Sequence, residues 1–372
     1  MNLPIPYPDP MPLPAPLWLL RTLLLLTFFL HVLFMNSLLG GTAVAMVCAM
    51  RRKSSPFSAR LADDLGRLLP SILAFTITLG VAPLLFLQVM YGQLLYTSSI
   101  LLGVPWLAII GIVILAYYGV YYFSLKGREA NERSSAVLVL VLMLLASVAF
   151  IYSNNFTLML APERWMNLYR SHASGWNLNW SEPSLPPRYL HFVLGALAVS
   201  GLGLVVLALR QREDAYRKWL TEQGFFLFTF TTLINFAVGF WFLLKLPGSV
   251  QLDFVGGNGF ATVLLGIGVL LPLAAVAHLI MAKSSRSPRR ALVIGVSCGL
   301  LTVAAMIVMR DVLRNLQLAP NFSPGQLPVA PQWSIIALFA VLFLAGLATV
   351  YYMLRKVASA ARMQIAANVR ES

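Results

Sequence analysis

The stretch Gly80–Gly111, GVAPLLFLQVMYGQLLYTSSILLGVPWLAIIG, decides the fold class. Two apolar runs flank a short segment rich in Gln, Tyr, Thr and Ser, and this predicts two membrane helices with a turn between them. Gln88, Tyr91, Gln93, Tyr96, Thr97 and Ser98 gather at that turn. An interfacial belt of Tyr and Gln is the plain structural explanation for such a cluster.

Composition extends the reading to the whole chain. Of 372 residues 59% are hydrophobic and 11% charged, and mean hydropathy is +0.79, which sets the chain apart from water-soluble domains. Runs of about 20 apolar residues are long enough to span a bilayer. They fall at residues 18–49, 69–91, 97–124, 135–159, 188–209, 224–245, 259–282, 291–313 and 333–354. The expected architecture is therefore all-α and polytopic. A Pro-rich arm covers residues 1–17, one nine-helix domain covers 18–355, and a tail covers 356–372. Within the domain, helices 1–4 and 5–8 form two bundles, with helix 9 added.

Charge sets an expected orientation. Of 27 Lys and Arg, twenty fall after helices one, three, five, seven and nine. Only Arg21, Arg164, Arg170, Arg188, Lys245, Arg310 and Arg314 fall on the other side. By the positive-inside rule the amino terminus is outside and the carboxyl terminus cytoplasmic. The net charge of +14 then reflects contact with anionic lipid and calls for no nucleic acid. No Lys or Arg precedes Arg21, so the first apolar run reads as a retained helix rather than a cleaved signal. Cys48 and Cys298 lie singly in apolar runs, without disulfide or metal spacing. The three Trp of the 160–187 loop suggest a segment on the membrane surface.

Ionisable residues narrow the chemistry. All thirteen carboxylates, among them Asp9, Glu129, Asp311 and Glu371, fall in loops or at predicted helix ends, so no proton path of acids is expected inside the membrane. His31, His191 and His278 do fall inside helices, whereas His172 lies in a loop. A neutral imidazole can bind haem iron or hydrogen-bond a neighbouring helix, and both uses remain open from the residues alone.

Several motifs resemble those of subunit I of the cytochrome bd quinol oxidases. Gly80, Val81, Ala82 and Gly92 match the spacing of G-V-A-x5-E-x3-G, and Gly103, Pro105 and Gly111 match G-x-P-L-A-x-E-G with one extra residue. In the first helix His31, Leu33, Phe34, Leu39 and Gly40 resemble H-x-L-F-x4-L-G, and in the fifth His191, Val193 and Leu194 resemble H-x-V-L.

The resemblance implies that His31 and His191 are axial ligands of one or two b haems. Arg188, Arg310 and Arg314 would then pair with the propionates, though helix-end snorkelling accounts for them too. Met306 and Met309 are candidate thioether ligands as well as ordinary gap-fillers. The departures are equally plain. Gln88 and Ile110 stand where the family has Glu, Leu264–Gly268 replaces a Met-bearing pattern, the eighth-helix Glu has no counterpart, and the loop 246–258 is too short for the family's quinol loop.

The expected function is a b-type cytochrome-like subunit of a respiratory complex in a bacterial inner membrane, rather than a complete oxygen reductase. It would link a quinone pool, with quinone as a second cofactor, to an outer-face partner such as a c-type cytochrome or iron-sulfur subunit. Other membrane subunits and lipid complete its surroundings. A haem-free membrane anchor is the alternative, and a secondary transporter of a neutral substrate comes third.

Overall fold

The computed structural model describes residues 11–126, 132–285 and 287–370. The first ten residues of the arm, with Asp9, lie outside the described residues, as do Arg128, Glu129, Arg286 and Glu371. The architecture is all-α. In chain order the helices are α1 (Leu17–Met50), α2 (Pro56–Leu101), α3 (Gly103–Lys126), α4 (Glu132–Met159), a short α5 (Trp165–Ser171), α6 (Leu185–Leu209), α7 (Asp214–Leu244), a short α8 (Gly248–Leu252), α9 (Gly259–Met281), α10 (Pro288–Leu318) and α11 (Trp333–Arg370). Among the described residues, nine of these are long and apolar enough to cross a membrane. The chain is a multi-pass membrane protein.

α1 is the centre of the packing, touching α2, α4, α6 and α10, while α6 pairs with α7, α9 with α10, and α3 with α4. Small residues allow the close approaches. A Cβ on Gly224 of α7 would lie 2.7 Å from the carbonyl oxygen of Gly201 on α6, so this crossing brings backbone onto backbone. α11 differs, because the residues of its apolar span are almost all exposed.

The predicted turn between the second and third helices is not where polar composition put it. α2 runs 46 residues, from a Ser55 cap that accepts from Ser58 N at 3.2 Å, through Pro70 and Pro83, to Leu101. At about 1.5 Å per residue it is about 70 Å long, well beyond the bilayer's apolar thickness of about 30 Å. The supposed turn residues are helical, and their hydroxyls bond back into the helix: Thr97 donates to Gln93 O at 2.8 Å and Ser98 to Leu95 O at 3.0 Å. A kink remains at Tyr91 (φ −134°, ψ 24°), and the chain reverses only at Leu102.

The end of the bundle that holds the start of α1 is covered by three segments. Leu13 and Val329 form a parallel bridge, with Leu13 N donating to Pro328 O at 2.8 Å and Ala330 N to Leu13 O at 2.9 Å. The described part of the Pro-rich arm is thus a strap with Leu13 and Ala15 buried. The 160–187 loop folds over the tops of α2, α3 and α4. Val104 N donates to Gly175 O at 3.1 Å, and Asn177 Nδ2 to Leu101 O at 2.9 Å. Of its three tryptophans only Trp176 (63% exposed) and Trp180 (68%) face outward. Trp165 is buried, and its indole N–H donates to Leu158 O at 2.9 Å. Between α7 and α9, α8 and a π turn (Asp253–Gly257) close the short loop, where Gly256 takes φ 127°, a conformation suited to glycine. Asn258 then caps α9, accepting from Ala261 N at 3.1 Å.

Candidate functional site

The same end of the bundle collects the ionisable residues singled out in the sequence. His31 stands on the face of α1 that meets α2. Its Nδ1 lies 3.0 Å from the carbonyl oxygen of Thr76. A carbonyl only accepts, so Nδ1 carries the proton and Nε2 holds the free lone pair. The approach depends on Gly80, one turn further along α2, whose Cβ, if present, would lie 2.8 Å from His31 Cε1. Fixing one imidazole nitrogen on a backbone carbonyl is the usual way a protein orients a histidine for a metal.

His191 is one turn beyond Arg188 on α6, and the same two-residue register recurs on α7. Gly239 faces the His191 ring, with its would-be Cβ 3.2 Å from Cε1, and the Arg188 guanidinium lies 4.9 Å from the Phe242 ring centroid. Asn235 lies beside His191 and acts on the imidazole through its backbone and side chain, without a hydrogen bond of good geometry to Nδ1. The two histidines therefore face different neighbours, α2 and α7.

The arginines converge. Arg188, Arg310 and Arg314 line one cavity of about 20 Å³ together with Leu87, Phe156, Met159 and Leu160. Arg310 is stacked between aromatic rings, 4.6 Å from the Phe28 centroid and 4.7 Å from that of Phe156. Phe28 in turn lies 6.3 Å from the His31 ring, so a single aromatic ring separates the histidine from the guanidinium. Gln88 is half-buried and is not among the residues lining the cavity, which α2 reaches through Leu87. Met306 and Met309 pack their methyl ends over Gly268 of α9, each 2.9 Å from where its Cβ would be. His278 bonds within its own helix, to Ala274 O at 2.9 Å.

One carboxylate departs from the sequence expectation. Asp311 is not at a helix end: α10 continues to Leu318, and Asp311 is 2% exposed. Arg21 Nε donates to it at 2.5 Å, Arg314 also donates to it, and Asn315 Nδ2 approaches it at 3.3 Å. Asn315 accepts from the Tyr91 hydroxyl at 2.6 Å, which joins the kink of α2 to the network. Asp311, Arg314 and Asn315 share one face of α10 by their spacing of three and four, and that spacing was the available signal. What hid it was the predicted end of the helix at residue 313.

These residues meet the chemical demands of a haem in part. His31 offers a fixed imidazole with its Nε2 lone pair free, and the arginines supply positive charge on the same side. The cavity between the arginines is smaller than a porphyrin, so seating one there requires Phe28, Phe156 and Leu87 to move aside. Among the described residues no group of three or more His, Cys, Asp or Glu could hold a metal ion by itself. The side chains of Arg188 and Arg310 make no hydrogen bond or ion pair among the described residues; their contacts are with the aromatic rings. Burying a guanidinium without an acid is costly, so a small anionic group is what this arrangement can hold. Two buried asparagines are structural: Asn155 on α4 donates through Nδ2 to Ser99 Oγ at 2.9 Å, and Asn179 of the 160–187 loop donates through Nδ2 to Thr157 Oγ1 at 3.3 Å. Compared with models of known protein families and with curated protein sequences, the chain matches none.

Proposed function

We propose that the chain is a b-type cytochrome-like subunit of a membrane electron-transfer complex, with His31 and His191 as haem ligands and the arginine end facing outward. The observation that carries this reading is the His31 imidazole, held through Nδ1 by Thr76 O inside an apolar bundle with Nε2 left for a partner. A bound haem would supply one-electron transfer. Thr76 orients the imidazole, Gly80 makes room for it, and Arg188, Arg310 and Arg314 balance the charge of carboxylates on that side. Electrons would pass between a quinone pool and an outer-face partner subunit in a bacterial inner membrane.

A haem-free membrane anchor is the second reading, and the small volume of the cavity favours it. A dithionite-reduced minus oxidised spectrum with a pyridine haemochrome assay separates the two. On the cytochrome reading the chain gives a b-type α-band that His31→Ala and His191→Ala each diminish. A flat spectrum from the intact complex removes the cytochrome reading and leaves the anchor.

A further inference from the structure

We infer that the cavity between Arg188, Arg310 and Arg314 is a partly open binding site for one phosphate-class oxyanion, supplied as a free ion or as the head group of a phospholipid. The argument begins with charge. Of the three arginines, Arg314 is answered by Asp311, while Arg188 and Arg310 have no acid bonded to them. Glu182, the nearest acid to act on Arg188, is ion-paired to Arg164 at 3.2 Å. Asp311 is shared with Arg21 as well, so it has no capacity left for the other two. Arg188 and Arg310 remain without an acid, and an anionic oxygen from outside the chain answers them.

Geometry limits the size of that group. About 20 Å³ bounded by Leu87, Phe156, Met159 and Leu160 is room for one water-sized group, so a single oxygen of a tetrahedral anion enters between the guanidinium groups while the rest of the anion sits in the open mouth. The Nε atoms of Arg188 and Arg314 are buried and carry unused donors. Arg188 is three residues after the start of α6, and Arg314 four before the end of α10, which puts the site at head-group depth of the bilayer. The inference needs no haem, and it competes with the cytochrome reading for these arginines, which that reading gives to the propionates; Phe28 lies against both Arg310 and His31.

The test uses the purified full-length chain in detergent, stripped of lipid, with thermal unfolding measured in sodium phosphate and in sodium chloride at matched ionic strength. Phosphate raises the midpoint of the wild-type chain by several degrees in a saturable manner, and this rise is lost in Arg310→Gln. In chloride the same substitution raises the midpoint, since it removes an unanswered buried charge. Native mass spectrometry of the unstripped chain identifies the source: a retained phospholipid that Arg310→Gln loses means a head group, and none retained means the free ion. Equal wild-type midpoints in phosphate and chloride overturn the inference, as does an Arg310→Gln response matching the wild type. A response that arises only after haem removal also overturns it, since the arginines then belong to the propionates. The reduced minus oxidised spectrum of the same sample reports the cytochrome reading separately.

Discussion

The two ends of the bundle pair their acids in different surroundings. The end carrying the α1–α2 and α6–α7 connections holds most of the chain's basic residues, and its acids are matched by cations near the surface: Arg52 pairs with Asp63 at 2.7 Å, Arg60 with Glu213 at 2.5 Å, and Arg67 with Asp64 at 2.5 Å. Arg60 also lies 4.0 Å from the centroid of the Tyr216 ring, and the Tyr216 hydroxyl donates to Asp64 at 3.3 Å. The Arg60–Glu213 pair and the Tyr216–Asp64 bond join the base of α2 to the start of α7. At the other end Arg21 and Arg314 share one buried acid, Asp311, while Arg188 and Arg310 beside them pair with none. Surface pairs within a basic face are explained by folding and by the membrane's charge. Two guanidinium groups packed between aromatic rings without an acid are the feature on which the oxyanion proposal rests.

Asp311→Asn is the sharpest way to break the contrast. It leaves Arg21 and Arg314 without their acid and is expected to cost about 3–5 kcal/mol, read as loss of thermal stability in detergent. Gly80→Ala comes next: its methyl would meet His31 Cε1 at 2.8 Å, displacing the ring from Thr76 at a cost of about 1–3 kcal/mol and lowering any haem content. If haem content and stability both stay at wild-type values, the α1–α2 approach does not position His31. Tyr91→Phe removes the hydroxyl bond to Asn315 and should cost about 1 kcal/mol, with the fold kept. At the matched end, Asp63→Asn breaks the pair with Arg52 and is expected to change stability by less than about 1 kcal/mol. If Asp63→Asn proves as damaging as Asp311→Asn, the distinction between the two ends fails.

The region around Tyr91 shows how sequence reading goes wrong in a membrane protein. A polar run looks like a turn because water-facing segments are polar, yet a hydroxyl that bonds to the carbonyl four residues back is satisfied inside a helix. The same error of boundary hid Asp311, since a span ended at residue 313 makes an acid at 311 look terminal. Trp165 was grouped with Trp176 and Trp180 by composition, and only packing buried it.

The sequence by itself determined the nine apolar helices, because each must satisfy its own backbone and present roughly a bilayer's length of apolar side chains. It also marked His31, His191 and the three arginines, as polar residues are rare in such helices. The meeting of Arg188 with Arg310 and Arg314 on one cavity was decided only by tertiary structure. α6 and α10 are separated by more than seventy residues of chain, and their register depends on glycine contacts and ridge packing that no local pattern encodes. The pairing of Arg21 with Asp311, 290 residues apart, is of the same kind.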